Sequence, residues 1–321
     1  MHIKQELTER HVLTLTVDNE SGTLARIAGM FTSRGYNIDS LTVADISEDH
    51  TTSRITIVTK GPLLDAYVKL GITPASASRK PLPGQPNVPT APSLAEFADR
   101  LATLPLVADP GTVWSYSVSL DLLGRIIELA SGMPFDAFLQ QRIFAPLGMT
   151  SSWFQVPQSE MKRLTTNYFG APFGTFPIDP GTDSVFFDKP AFPFGGAGLV
   201  TSPRDYDRFL AMLMGEGAIG DRRVMKVETA RLAMSNLVPA GTRMESYVKG
   251  QGFGAGGRVT IAPRDNGEGL GTFGWGGAAS TIGWVDRTRG IRASGWSQIM
   301  TMGNQPFTES FGKAVYQSLS V

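Results

Sequence analysis

Between residues 74 and 92 the chain places six prolines, at 74, 81, 83, 86, 89 and 92. Proline locks φ and offers no backbone donor, so that density reads as an extended loop or a tether between domains. It separates a short N-terminal segment from a long C-terminal one, and 321 residues leave room for two domains. The chain has no cysteine, which excludes disulfides, thiolate catalysis and Cys-based zinc sites. Lys+Arg and Asp+Glu number 29 each, a balance that favours neither nucleic acid nor an anionic membrane as partner. No motif implies a cofactor or a metal. The first residues show no apolar run behind a basic start, and no stretch reaches the ~20 apolar residues of a membrane span, so the expected location is the cytoplasm.

The three histidines stand at positions 2, 11 and 50. A Ser-His-Asp triad or a His-rich metal site within the long C-terminal segment is therefore excluded. Acyl transfer there would need Lys or Tyr as its base.

In the N-terminal segment, Val12 to Val17 alternates, with Leu13, Leu15 and Val17 on one face and Thr14 and Thr16 on the other, the pattern of a half-buried strand. A polar turn follows, Asp18 to Gly22. Leu24, Ile27, Ala28 and Phe31 then recur at helical spacing, and Gly35 suits the helix end. Ile38 to Ile46 and Ser53 to Thr59 read as two further strands. The order is strand, helix, strand, strand. On these residues alone, Asn19 and Ser21 serve equally well as helix caps.

The stretches Asn19-Glu20-Ser21-Gly22-Thr23-Leu24-Ala25-Arg26-Ile27 and Arg34-Gly35-Tyr36-Asn37-Ile38-Asp39-Ser40-Leu41-Thr42-Val43 closely resemble the ACT domain of the acetolactate synthase small (regulatory) subunit. The resemblance covers roughly residues 8 to 60. It implies a valine site formed by Asn19, Gly22, Asn37 and Ile38, with an acetolactate synthase catalytic subunit or a second ACT segment as partner. An ACT domain normally adds a second helix and a fourth strand, and Lys60-Gly61-Pro62 breaks away before them. The implied fold is a truncated ferredoxin-like βαββ module over residues 1–61.

In the C-terminal segment, Leu122, Leu123, Ile126, Ile127 and Ala130 make an apolar stripe stopped by Gly132, and Pro134 opens another helix. Gly- and Pro-rich loops are expected to about residue 200. Thr281 to Asp286 and Ile291 to Trp296 read as paired strands around Arg287-Thr288-Arg289-Gly290, and Phe307 to Leu319 as a closing helix. Pro110-Gly111-Thr112-Val113-Trp114-Ser115-Tyr116-Ser117-Val118, Leu123 to Glu128, Ile143 to Met149, Gly195 to Ser202 and Phe273-Gly274-Trp275-Gly276-Gly277 together resemble class C β-lactamase-type serine hydrolases, in particular the family VIII carboxylesterases. The resemblance covers residues 62–321 and implies a partial β-lactamase/penicillin-binding-protein-like domain. The whole chain is then α+β, with a small ester as the implied substrate.

That resemblance also assigns roles. Tyr116 would move the nucleophile's proton. Trp275, Gly276 and Gly277 would form the substrate-lining strand and supply an oxyanion-side N–H. Val118 stands where the family has Asn, and Trp275 where β-lactamases have Lys, departures that favour an esterase. On residues alone, Tyr116 reads equally as a core tyrosine and Trp275-Gly276-Gly277 as a tight bend.

The family's Ser-x-x-Lys nucleophile motif precedes the Tyr motif. Here Ser76, Ser78, Ser93 and Ser115 lie between Pro62 and Tyr116, and none has Lys three residues later. Ser159…Lys162 and Ser310…Lys313 fit the string but follow Tyr116. Gly252 to Gly257 fits Gly-x-Gly-x-x-Gly, yet Arg258-Val259-Thr260-Ile261 after it reads as strand, against a dinucleotide site. The expectation is a serine hydrolase by descent without its nucleophile, joined to a regulatory segment. Missing first strands would leave core surface bare and the chain prone to aggregate.

Overall fold

The computed structural model describes residues 10–18, 38–45, 52–60, 91–104, 106, 108–171, 174–244, 250–301 and 306–319. The alternating N-terminal stretches form strands β1 (Arg10–Asp18), β2 (Ile38–Asp45) and β3 (Thr52–Lys60), each within two residues of its sequence expectation. β3 lies between the others and runs antiparallel to both, with Leu13 opposite Ile57 on one side and Leu41 opposite Ile57 on the other. β1 and β2 are therefore parallel and one strand apart. The helix expected over Leu24 to Phe31, the boundary at Gly61-Pro62 and most of the proline loop lie outside the described residues.

The chain groups into two compact units, residues 1–104, 155–192 and 298–304 in one and 105–154, 193–297 and 305–321 in the other. The first contains β1 to β3 and helix α1 (Leu94–Ala102), where Ser93 accepts from the Glu96 N–H at 3.2 Å and Glu96 reaches Arg100 at 2.8 Å. Leu94 and Phe97 are the buried residues of α1, and Phe97 meets Phe192 at 5.3 Å.

The first unit also holds a hairpin, Asn167–Ala171 with Gly174–Asp179, joined in parallel by Ile299–Thr301. The sequence reading places loops there. Phe169, Phe176, Ile178 and Met300 form its small core, and two of its features hide it locally. Pro177 sits on the edge strand, where a missing donor costs little, and the third strand comes from far along the chain.

In the second unit, helices α2 (Ser119–Ser131) and α3 (Pro203–Met214) precede a meander of β4 (Gln251–Phe253), β5 (Arg258–Thr260), β6 (Phe273–Gly277), β7 (Thr281–Asp286) and β8 (Ile291–Gly295), closed by α4 (Pro306–Gln317). Alternation along β7 sends neighbouring side chains to opposite faces. Val285 joins Leu210, Leu213, Met234, Val259 and Phe273 in the main core. Trp284 meets Phe311 edge-on at 5.7 Å and Tyr316 stacked at 6.2 Å, both on α4. Each fully buried side chain of this size stabilises by roughly 1.5–3 kcal/mol. The β7–β8 pair and the closing helix stand where the sequence places them. Among the described residues no helix is long and apolar enough to cross a membrane.

Helix α2 carries the expected stripe, but Leu123 and Ile126 are 45% and 52% exposed, while Asp121 and Gly124 are the buried residues. Gly132 ends the helix in the left-handed conformation, as its position suggests.

Candidate functional site

The short strand Val113–Trp114 pairs in parallel with Arg243–Met244 and feeds Ser115 to Val118, the loop that enters α2. Its Tyr116 ring stacks on Trp275 of β6, centroids 5.8 Å apart and planes 16° apart. Phe253 of β4 meets Trp275 edge-on at 5.4 Å, and Trp114 tilts against Phe253 at 4.9 Å. Three separate segments thus bring four aromatic rings into one chain of contacts, and Tyr116 keeps 39% of its surface exposed.

Register fixes the rest of β6. Trp275, Gly276 and Gly277 pair with Gly283, Ile282 and Thr281 of β7. The ladder to β5 ends at Gly274, opposite Arg258, because β5 is short and its chain turns away through Gly254 to Gly257. Beyond Gly274 no β5 residue pairs with β6, and Gly276 is exposed beside the aromatic rings. The Gly-rich run 252–257 therefore holds the end of β4 and the hairpin turn 254–257 into β5, with strand and not helix after it.

Burial pushes the Tyr116 phenol above its ordinary value, the Asp121 carboxylate adds to the rise, and hydrogen bonding from Trp275 partly offsets it. Near neutral pH the phenol holds its proton and can donate it. Asp121 is buried in the first turn of α2, and its Oδ1 accepts from the Gly196 N–H at 2.9 Å. The Ser117 and Ser119 hydroxyls lie 2.9 Å apart.

Tyr116 and Trp275-Gly276-Gly277, named from sequence, are thus brought together. Of the alternative Ser-x-x-Lys strings, Ser310 and Lys313 are exposed on α4, and Ser159 and Lys162 are exposed on the 3-10 turn Gln158–Arg163. Asn19, Gly22 and Asn37 lie outside the described residues, and Ile38 opens β2. Sequence reasoning missed Trp114, Phe253 and Asp121. An acidic residue in a first helical turn reads as an ordinary dipole partner, so only its burial singles Asp121 out.

A family model described as Beta-lactamase matches residues 69–309, and one described as AHAS small subunit-like ACT domain matches residues 13–69. The lovastatin esterase of Penicillium rubens is 31% identical over 216 residues, covering 61% of this chain and 53% of that protein. Esterase EstB of Burkholderia gladioli is 31% identical over 215 residues, covering 62% and 53%. Protein Rv1367c of Mycobacterium tuberculosis is 31% identical over 203 residues, covering 56% and 47%. The chain spans about half the length of the curated relatives it matches. Among solved structures, EstCE1, a hydrolase with promiscuous acyltransferase activity, gives a TM-score of 0.60 at 21% identity, covering 90% of this chain and 71% of that one. The simvastatin synthase of Aspergillus terreus, in its LovD6 mutant, gives 0.58 at 20% identity, covering 95% and 83%. At these identities the solved structures show a shared fold.

Proposed function

Because the chain belongs to the β-lactamase family, we propose that it descends from that family's esterases and acyltransferases, keeps part of an acyl-transfer site in Tyr116 and Trp275-Gly276-Gly277, and lacks the serine that would start the reaction. The observation that carries this reading is the Tyr116–Trp275 stack on β6, next to the exposed Gly276. A small ester lying along Trp275 and Gly276 would face the phenol on one side and backbone N–H groups on the other. Tyr116 would pass a proton between nucleophile and leaving group. Trp275 brings no positive charge, which suits an ester better than an anionic lactam. The relatives point the same way, two of the three named above being esterases. The chain's location in this reading is the cytoplasm.

No serine before Tyr116 in this sequence has Lys three residues later, and removing a nucleophile lowers kcat by on the order of 10⁶-fold. Purified chain is therefore expected to hydrolyse 4-nitrophenyl acetate no faster than buffer and to give no serine adduct with a fluorophosphonate. A mapped serine adduct, with turnover lost in Tyr116→Phe, would show a working esterase with a different nucleophile.

The ACT family match and the strand order β1-β3-β2 favour a second role, in which the N-terminal segment is a truncated ACT module joined to the hydrolase segment. Valine would bind at Asn19, Gly22, Asn37 and Ile38, and a second ACT segment or an acetolactate synthase catalytic subunit would be the partner. Saturable heat on titrating valine to millimolar concentration supports this role; no heat rejects it.

A further inference from the structure

We propose that Asp121 is a positioning residue for Tyr116, fastening the Gly195-Gly196 turn to the first turn of α2 and thereby holding the loop that presents the phenol to Trp275. The inference deepens the acyl-transfer reading and rests on Tyr116 being its proton-transfer group. Asp121 is 6% exposed at a helix start, where a carboxylate ordinarily reaches water. The Gly196 N–H donates to its Oδ1 at 2.9 Å. The turn has no room for side chains: a Cβ on Gly195 would collide with the Leu120 carbonyl, and one on Gly196 would stand 3.1 Å from Asp121 Oδ2. Consecutive residues of α2, Leu120 and Asp121, thus both back onto consecutive glycines.

The residue at the N-cap of α2, Val118, supplies no side-chain cap, so the entry of this helix depends on other contacts. Tyr116 lies two residues before it. The groups acting on the phenol are the Asp121 carboxylate from α2 and the uncharged Trp275 indole from β6, with uncharged Phe253 of β4 behind the indole. Burial disfavours tyrosinate most, and a carboxylate there adds to it, so the same side chain that fixes the loop also makes Tyr116 less acidic.

Two variants separate charge from fastening. Asp121→Asn keeps an oxygen to accept from Gly196 and removes the charge; Asp121→Ala removes both. The readout is the titration of Tyr116, followed by NMR with tyrosine labelled at Cζ and assigned among the seven tyrosines by the signal missing in Tyr116→Phe. In Asp121→Asn the phenol should become about three- to tenfold more acidic, the effect of losing a nearby charge in a partly screened site. In Asp121→Ala the ring-current shift that Trp275 imposes on Tyr116 should also collapse. An unchanged titration in Asp121→Asn overturns the proposal even if that variant melts earlier, since a merely structural residue moves stability and not the acidity of one tyrosine. A retained ring-current shift in Asp121→Ala overturns it too, and if the Ala variant does not fold, the Asn variant decides alone. None of these measurements needs turnover, so failure of the acyl-transfer reading in the ester and fluorophosphonate assays is a separate result.

Discussion

Asp286, at the end of β7, has no exposed surface. Its carboxylate accepts from the Thr288 hydroxyl at 2.6 Å, the Gly269 N–H at 2.9 Å, the N–H groups of Thr288 and Arg289 at 3.1 Å each, and the Tyr316 hydroxyl at 3.1 Å. Burial pushes the carboxyl up, but the hydrogen bonds from Thr288, Gly269, Arg289 and Tyr316 outweigh it and hold it below its ordinary value. Burial, and then the same carboxylate, push Tyr316 up to about 12. A carboxyl whose folded value is depressed stabilises the fold above its unfolded value, about 3.9, and that contribution is lost as pH falls through the lower folded value. Urea unfolding between pH 7 and pH 2 should show stability declining below about pH 4. Asp286→Asn, which turns an amide toward donors, should cost on the order of 3 kcal/mol at pH 7 and flatten that decline. At this scale the sequence was only half legible. Tyr116 and Trp275 were named from their motifs, whereas Asp121 and Asp286 look like ordinary surface acids until the glycines and hydroxyls that surround them converge from distant segments.

Helix α2 exposes Leu123, Ile126 and Leu129, at 45%, 52% and 68%, along one stripe, while Arg125 and Glu128 pair at 3.2 Å on its more buried side. This inverts the arrangement of an ordinary surface helix, and the periodicity alone could not reveal it, because a stripe reads the same whichever way it faces. Leu129→Glu removes little buried area, so it should leave the thermal midpoint within the change produced by about 0.5 kcal/mol, while lowering dye binding by exposed apolar surface and slowing sedimentation of aggregates. A clear loss of stability instead would mean that the stripe is covered in solution. The strands tell a different story. β1 to β3, β7 and β8 and helix α4 follow from period and turn residues and were legible. The hairpin Asn167–Ala171/Gly174–Asp179 was not, since its pairing with Ile299–Thr301 is set by contacts more than a hundred residues apart.

At the scale of the whole chain, the sequence identified both family resemblances, and the family models divide it near residue 69 in the same order. Legibility ended where chemistry requires a third side chain, because a nucleophile is recognised by its place beside Tyr116 and not by a four-residue string. Composition carries one more consequence. With 29 basic and 29 acidic residues the net charge near pH 7 is zero, so long-range repulsion between molecules is weakest there. Apolar surface such as the α2 stripe then meets little opposition on collision. Light scattering by the unheated protein is expected to peak near pH 7 and to fall by pH 10.5, where loss of about half of the lysine charge leaves the molecules negative. Added salt at pH 7 should not clear the solution, since screening weakens contacts between charges and leaves apolar ones intact. Scattering that ignores pH but disappears with salt would instead assign the association to attraction between opposite charges.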